Sequence, residues 1–143
     1  MRMLVLSLIV VGGAASVAWS QSAPQAPAQA AGPDPKNFTG RVTPNPTTDI
    51  RMTRYTFDAG ARSNWHSHEG GQVIVVEKGR MRAQERGGAL KQFAPRETYV
   101  VAPGTTHWHG AFPGEPLTQV ALSYGVTAWM EPVTDAQYSG GAR

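Results

Sequence analysis

The 143-residue sequence predicts an all-β fold, a sandwich or barrel of short strands. Two observations carry the prediction: short runs whose side chains alternate in polarity or are β-branched, and glycine- or proline-bearing breaks between successive runs. A third is negative. No internal repeat is long enough to suggest a solenoid, and the only helical signal lies in the tail.

The first run is Asp49 to Phe57. Arg51, Thr53, Tyr55 and Phe57 share one face, and Met52, Arg54 and Thr56 share the other. Val73 to Val76 is continuously β-branched, the pattern of a strand covered on both sides. Gly79 breaks it. Arg80 to Glu85 alternates again, and Gly87-Gly88 makes a turn. Tyr99 to Val101 is a further strand, closed by Pro103-Gly104. In Leu117 to Tyr124 the residues Leu117, Gln119, Ala121 and Ser123 oppose Thr118, Val120, Leu122 and Tyr124. After Thr134 a short helical turn is expected, with Thr134 or Asp135 as its cap.

Residues 1–20 read as a secretory signal peptide. Arg2 supplies the basic start, Leu4 to Val11 is uncharged, and Ala18-Trp19-Ser20 places small residues before Gln21. The apolar stretch is short and rich in Gly and Ala for a membrane span, so no stable insertion is expected after cleavage. Residues 21–36 are Ala, Pro and Gln and form a disordered spacer. The domain is expected over 37–143, in a protein that is exported, periplasmic or secreted. There is no Cys, so disulfides and thiolate ligands are excluded and the core alone must hold the fold. The formal charge of +3 includes Arg2, the one charged residue of the leader, and +2 remains after its removal. Basic residues are scattered, without the clustering that nucleic-acid binding needs. The expected partner is a small-molecule substrate.

All four histidines fall in two segments, Trp65-His66-Ser67-His68 and His107-Trp108-His109. Residues two apart on a strand point to the same side, so each segment offers two imidazoles to one face. If the strands meet inside a barrel, three or four ring nitrogens converge into a preorganised metal site. The Glu69-Gly70-Gly71 bend can bring the side-chain oxygen of Gln72 into the same space. Glu69 neighbours His68 and is expected to face the other way. Trp108 likewise points away from the histidines and packs into the core or a subunit contact. By parity Thr53, Tyr55, Gln119 and Ser123 are pocket-wall candidates.

The spacing of Gly60, His66, His68, Gln72 and Gly79 resembles the first cupin motif, Gly-x5-His-x-His-x3-(Glu or Gln)-x6-Gly. Gly104 and His107 fit the second motif. Arg96, Ala102 and Ala111 stand where that motif has Gly, Pro and Asn. Arg62 to His68, Gln72, His107 to Ala111 and the tail Val133 to Tyr138 are similar to the small bacterial cupins that include manganese-dependent hydroxynitrile lyases. The resemblance implies a single-domain cupin jelly-roll β-barrel, paired as a homodimer or homotetramer. It implies one divalent metal held by His66, His68, Gln72 and His107, with His109 lining the pocket beside it; because an imidazole's ordinary pKa lies close to neutral, His109 is the expected catalytic acid/base. Manganese follows from the relatives, and iron, nickel, zinc or copper also suit mixed N/O ligation. The strand Leu117 to Tyr124 departs from the cyanogenic members, which carry His and Gln where this chain has Gln119 and Ser123.

Four neutral ligands leave the +2 charge of such an ion uncompensated, which favours anions and Lewis-acid chemistry at a carbonyl or cyanohydrin oxygen. Two other classes remain open: a quercetinase-like dioxygenase or oxidoreductase, since open coordination positions permit oxygen activation, and a non-catalytic exported protein that binds metal or a small ligand.

Overall fold

The computed structural model describes residues 37–44 and 47–140; the expected signal peptide and spacer lie outside them. Among the described residues no helix is long and apolar enough to cross a membrane. Two compact units are distinguished, Met1–Pro44 and Asn45–Arg143. Residues 37–44, the described part of the first, form no strand. The second unit carries the fold.

Its elements are β1 (Ile50–Phe57), β2 (His66–His68), β3 (Gln72–Lys78), β4 (Met81–Glu85), β5 (Lys91–Phe93), β6 (Thr98–Val101), β7 (His107–Ala111), β8 (Leu117–Tyr124), β9 (Thr127–Trp129) and α1 (Asp135–Ser139). They form two sheets, ordered β1-β8-β3-β6 and β5-β4-β7-β2-β9, with every paired strand antiparallel. Ile74, Val76, Tyr99, Val101, Leu117 and Ala121 from the first sheet pack with Met81, Ala83 and Ala111 from the second. The core therefore lies between the sheets, as alternation requires when one face of each is buried.

Strand β8 alternates as its sequence predicts, with Leu117, Gln119, Ala121 and Ser123 buried. Strand β3 differs from the expectation of cover on both sides. Gln72, Ile74 and Val76 are buried, while Val73 and Val75 are only half-buried. Its flanks are occupied in the sheet plane by β6 and β8, and its outer face stays half-open among the described residues. The β-branched outer valines stiffen the strand there rather than fill a second core. The outer face of the second sheet is covered. Trp65 and Trp108 pack with Val133 and Tyr138 of the C-terminal segment. Arg62 holds that segment by donating to Val133 O and to the Asp135 carboxylate. Thr134 caps α1 in a capping box with Gln137.

The turn Ala94-Pro95-Arg96-Glu97 is closed by Glu97 N–H donating to Ala94 O, and Arg96 has φ 76°. Pro at the second position and positive φ at the third are the marks of a type II turn, where glycine is the unstrained choice. Arg96 is the one non-glycine residue with positive φ among the described residues. Arg96→Gly is therefore expected to stabilise the fold by roughly 1 kcal/mol. An unchanged or lower urea midpoint would contradict this reading of the turn.

Candidate metal centre

Strand β2 is three residues long, and its position is set by its neighbours. His66 pairs with His107 of β7 on one side and with Trp129 of β9 on the other; His68 pairs with Thr127. His66 and His68 are buried and Ser67 between them is half-buried, so the i, i+2 rule holds. On β7, His107 and His109 share the inner face, and Trp108 turns outward into the second cluster, its Nε1 donating to Gln84 Oε1. Gly71 (φ 88°) lets the chain pass tightly from β2 to β3, since a Cβ there would lie 2.5 Å from Val101 O. The next residue, Gln72, pairs with Val101 and Ser123 and faces the histidines. Glu69 is exposed, outside the cluster.

The rings of His66, His68 and His107 lie 4.3–5.7 Å apart, centre to centre. His109 lies 5.3 Å from His66 and 6.1 Å from His107. Donor atoms of His66, His107 and His109 fall within 4.8 Å of one another, and His68 stands outside that tightest group. All four histidines and Gln72 thus meet in one place.

The hydrogen bonds decide where the lone pairs point. His66 Nδ1 is 2.9 Å from Asn64 O, and His107 Nδ1 is 3.0 Å from Thr105 O. Carbonyls accept only, so both rings carry their proton on Nδ1 and present a bare Nε2. His68 Nδ1 lies 2.9 Å from Thr127 Oγ1, and its buried Nε2 has no partner. His107 Nε2 faces Gln72 Oε1 at 2.9 Å, while the Gln72 amide nitrogen donates to Ser123 Oγ. Two acceptors facing one another repel. Turning the amide over would relieve that contact but not the orphaned His68 nitrogen. A cation relieves both, so His66, His68, Gln72 and His107 fit a divalent ion.

The imidazoles themselves carry no charge that opposes this assignment. Burial pushes all four imidazoles below their ordinary range, His68 and His107 to about 4; neighbouring rings add to it for His68, His107 and His109, and the Arg51 charge adds to it for His68. The rings are neutral at neutral pH, ready to ligate. The metal-free fold excludes protons that the unfolded chain takes up near pH 6.5. This stabilisation is present above that pH and fades as pH falls towards about 4. The Tm of the metal-free protein is expected to drop on the order of 5 °C between pH 7.5 and 5. A flat profile would mean the rings are protonated as easily folded as unfolded.

The cupin domain family (Cupin_2) matches residues 53–121. The chain is 38% identical over 122 residues to an (R)-mandelonitrile lyase of Granulicella tundricola, covering 77% of this chain and 92% of that protein. It belongs to the cupin family. A cupin-like protein from Thermotoga maritima superimposes with TM-score 0.62 at 33% identity, covering 65% of this chain and 74% of that one. A double-stranded β-helix domain protein from Klebsiella pneumoniae matches at TM-score 0.54 and 20% identity, over 59% of this chain and 77% of that one, which supports the fold alone.

In this cupin fold His66, His68 and His109 open into a cavity of about 290 Å³. Tyr55 and Ser123 line it, as parity predicts; Thr53 does not reach it. Gln119 lies deeper, fully buried, with its amide nitrogen 3.0 Å from His109 Nδ1. Arg51, Phe57, Ser63, Thr127 and Trp129 complete the wall. Arg51 and Phe57 were legible as members of the inward face of their strand. Thr127 and Trp129 were not, because β9 is too short to show alternation.

Proposed function

We propose that this cupin is a metal-dependent lyase for a small carbonyl or cyanohydrin-type substrate, with His109 handling the proton. The observation that carries the reading is a set of inward imidazole lone pairs and one amide oxygen, in a cavity whose lining holds no carboxylate. The similarity to an (R)-mandelonitrile lyase supports it. When bound by His66, His68, Gln72 and His107, a divalent ion such as manganese supplies Lewis acidity and a positive field for an oxyanion. The other steps belong to side chains. Phe57 and Trp129 line the cavity and receive the apolar body of the substrate. Gln119 holds His109 from behind and can serve either tautomer. As it stands, its N–H donates to Nδ1 and keeps the histidine proton on Nε2, where it hydrogen-bonds a developing oxyanion. Turned over, its oxygen takes Nδ1–H and frees Nε2 to remove the cyanohydrin hydroxyl proton. That proton then passes to departing cyanide, giving aldehyde and hydrogen cyanide.

The test is release of cyanide from mandelonitrile by the manganese-loaded protein, lost on chelation and restored by the ion. Loaded protein that releases no cyanide, yet consumes oxygen with enols or phenols, would replace this reading with the oxidoreductase one.

A further inference from the structure

The first sheet carries a charged side chain into the cavity that the proposed chemistry does not use. Arg51 of β1 pairs with Ser123 of β8, and Ser123 pairs with Gln72 of β3. Residues paired across an antiparallel sheet share a face, so Arg51, Ser123 and Gln72 form one row that runs from the cavity mouth to the metal centre. Arg51 lines the cavity. Its Nη2 donates to Thr127 Oγ1 at 2.7 Å, and the same oxygen lies 2.9 Å from His68 Nδ1. The guanidinium is thus fixed two hydrogen bonds from a ring of the cluster.

Its charge is unanswered. Arg54, Arg62, Arg80 and Arg86 each pair with a carboxylate, whereas Arg51 has no ion pair among the described residues. No Asp or Glu lines the cavity. An arginine edge and aromatic side chains in the same lining suit a ligand with an anionic end and an apolar body.

We propose that Arg51 selects substrates carrying a carboxylate beside the reacting hydroxyl or carbonyl, that is, small α-hydroxy or α-keto acids with an apolar body. The substrate class rests on the proposed lyase reading; the anion selection by Arg51 does not. The free Nε and Nη1 edges receive the carboxylate, while the apolar body lies against Phe57 and Trp129.

The test titrates the full chain with mandelate and with its neutral amide, mandelamide, in manganese-loaded and metal-free forms. The expected result is a preference for mandelate of roughly tenfold in both forms, as a charge-assisted contact provides. In the metal-free form, where no dication attracts the anion, the preference is lost in Arg51→Gln and partly kept in Arg51→Lys. It is retained in Arg54→Gln, which removes the same charge from the outer face of the same strand. A preference that survives Arg51→Gln in the metal-free form, an equal loss in Arg54→Gln, or no mandelate binding by either form would overturn the proposal. Metal-dependent cyanide release without the preference would leave the lyase reading standing and end this one. An Arg51-dependent preference in a protein without metal-dependent turnover would do the reverse.

Discussion

A His107→Ala protein is expected to lose its divalent ion on dialysis against a buffered metal solution, with affinity reduced by at least about 100-fold. His107 belongs to both possible groupings of the cluster. It is one of the three histidines whose donor atoms lie within 4.8 Å of one another, and it also faces Gln72 at 2.9 Å. Its ring is held by Thr105 O, which fixes the direction of its Nε2. Polarised second partners of metal-bound histidines already cost ten- to a hundredfold when lost, and a ligand costs more. His107 is fully buried, and the void left by alanine destabilises the fold by about 2 kcal/mol. The readout is therefore metal content together with Tm. His68→Ala is the companion variant, since the unpartnered Nε2 of His68 gains nothing in the metal-free state. Metal retained at wild-type affinity in both variants would refute the centre.

The fold was legible wherever a strand was long enough to show its period. β1 and β8 align over eight residues, Ile50 opposite Tyr124 through Phe57 opposite Leu117, and their inward sets follow directly from alternation. The same rule joined His66 to His68 and His107 to His109. It failed for β5 and β9, three residues each, which pair only because neighbouring strands hold them. β9 matters most, because Trp129 stacks against His66 at 4.8 Å and Thr127 holds His68. Nothing local in Thr127-Ala128-Trp129 announces those contacts; they come from tertiary pairing. Arg51 was visible on the correct face, but its value as an unpaired cation required knowing which carboxylates its neighbours had claimed. Gln119 shows the opposite case. Parity marked it for the cavity, and the structure moves it one layer back, behind His109.

His109→Ala is expected to keep its metal and lose turnover by roughly 10²- to 10⁴-fold, the range a positioned acid/base provides. The tightest donor group in the cluster includes His109, so geometry alone would admit it as a ligand. The Gln119 contact argues otherwise. With its amide nitrogen donating to Nδ1, the His109 proton sits on Nε2, and a protonated nitrogen cannot ligate. His66 and His107 differ in kind: backbone carbonyls pin their protons to Nδ1 and leave no second tautomer to adopt. The ring whose partner can reverse is the one suited to moving a proton, and the rings whose partners cannot are suited to holding an ion. Elemental analysis and turnover on the same His109→Ala preparation separate the roles. Metal lost together with activity would make His109 a ligand and pass the proton to another group.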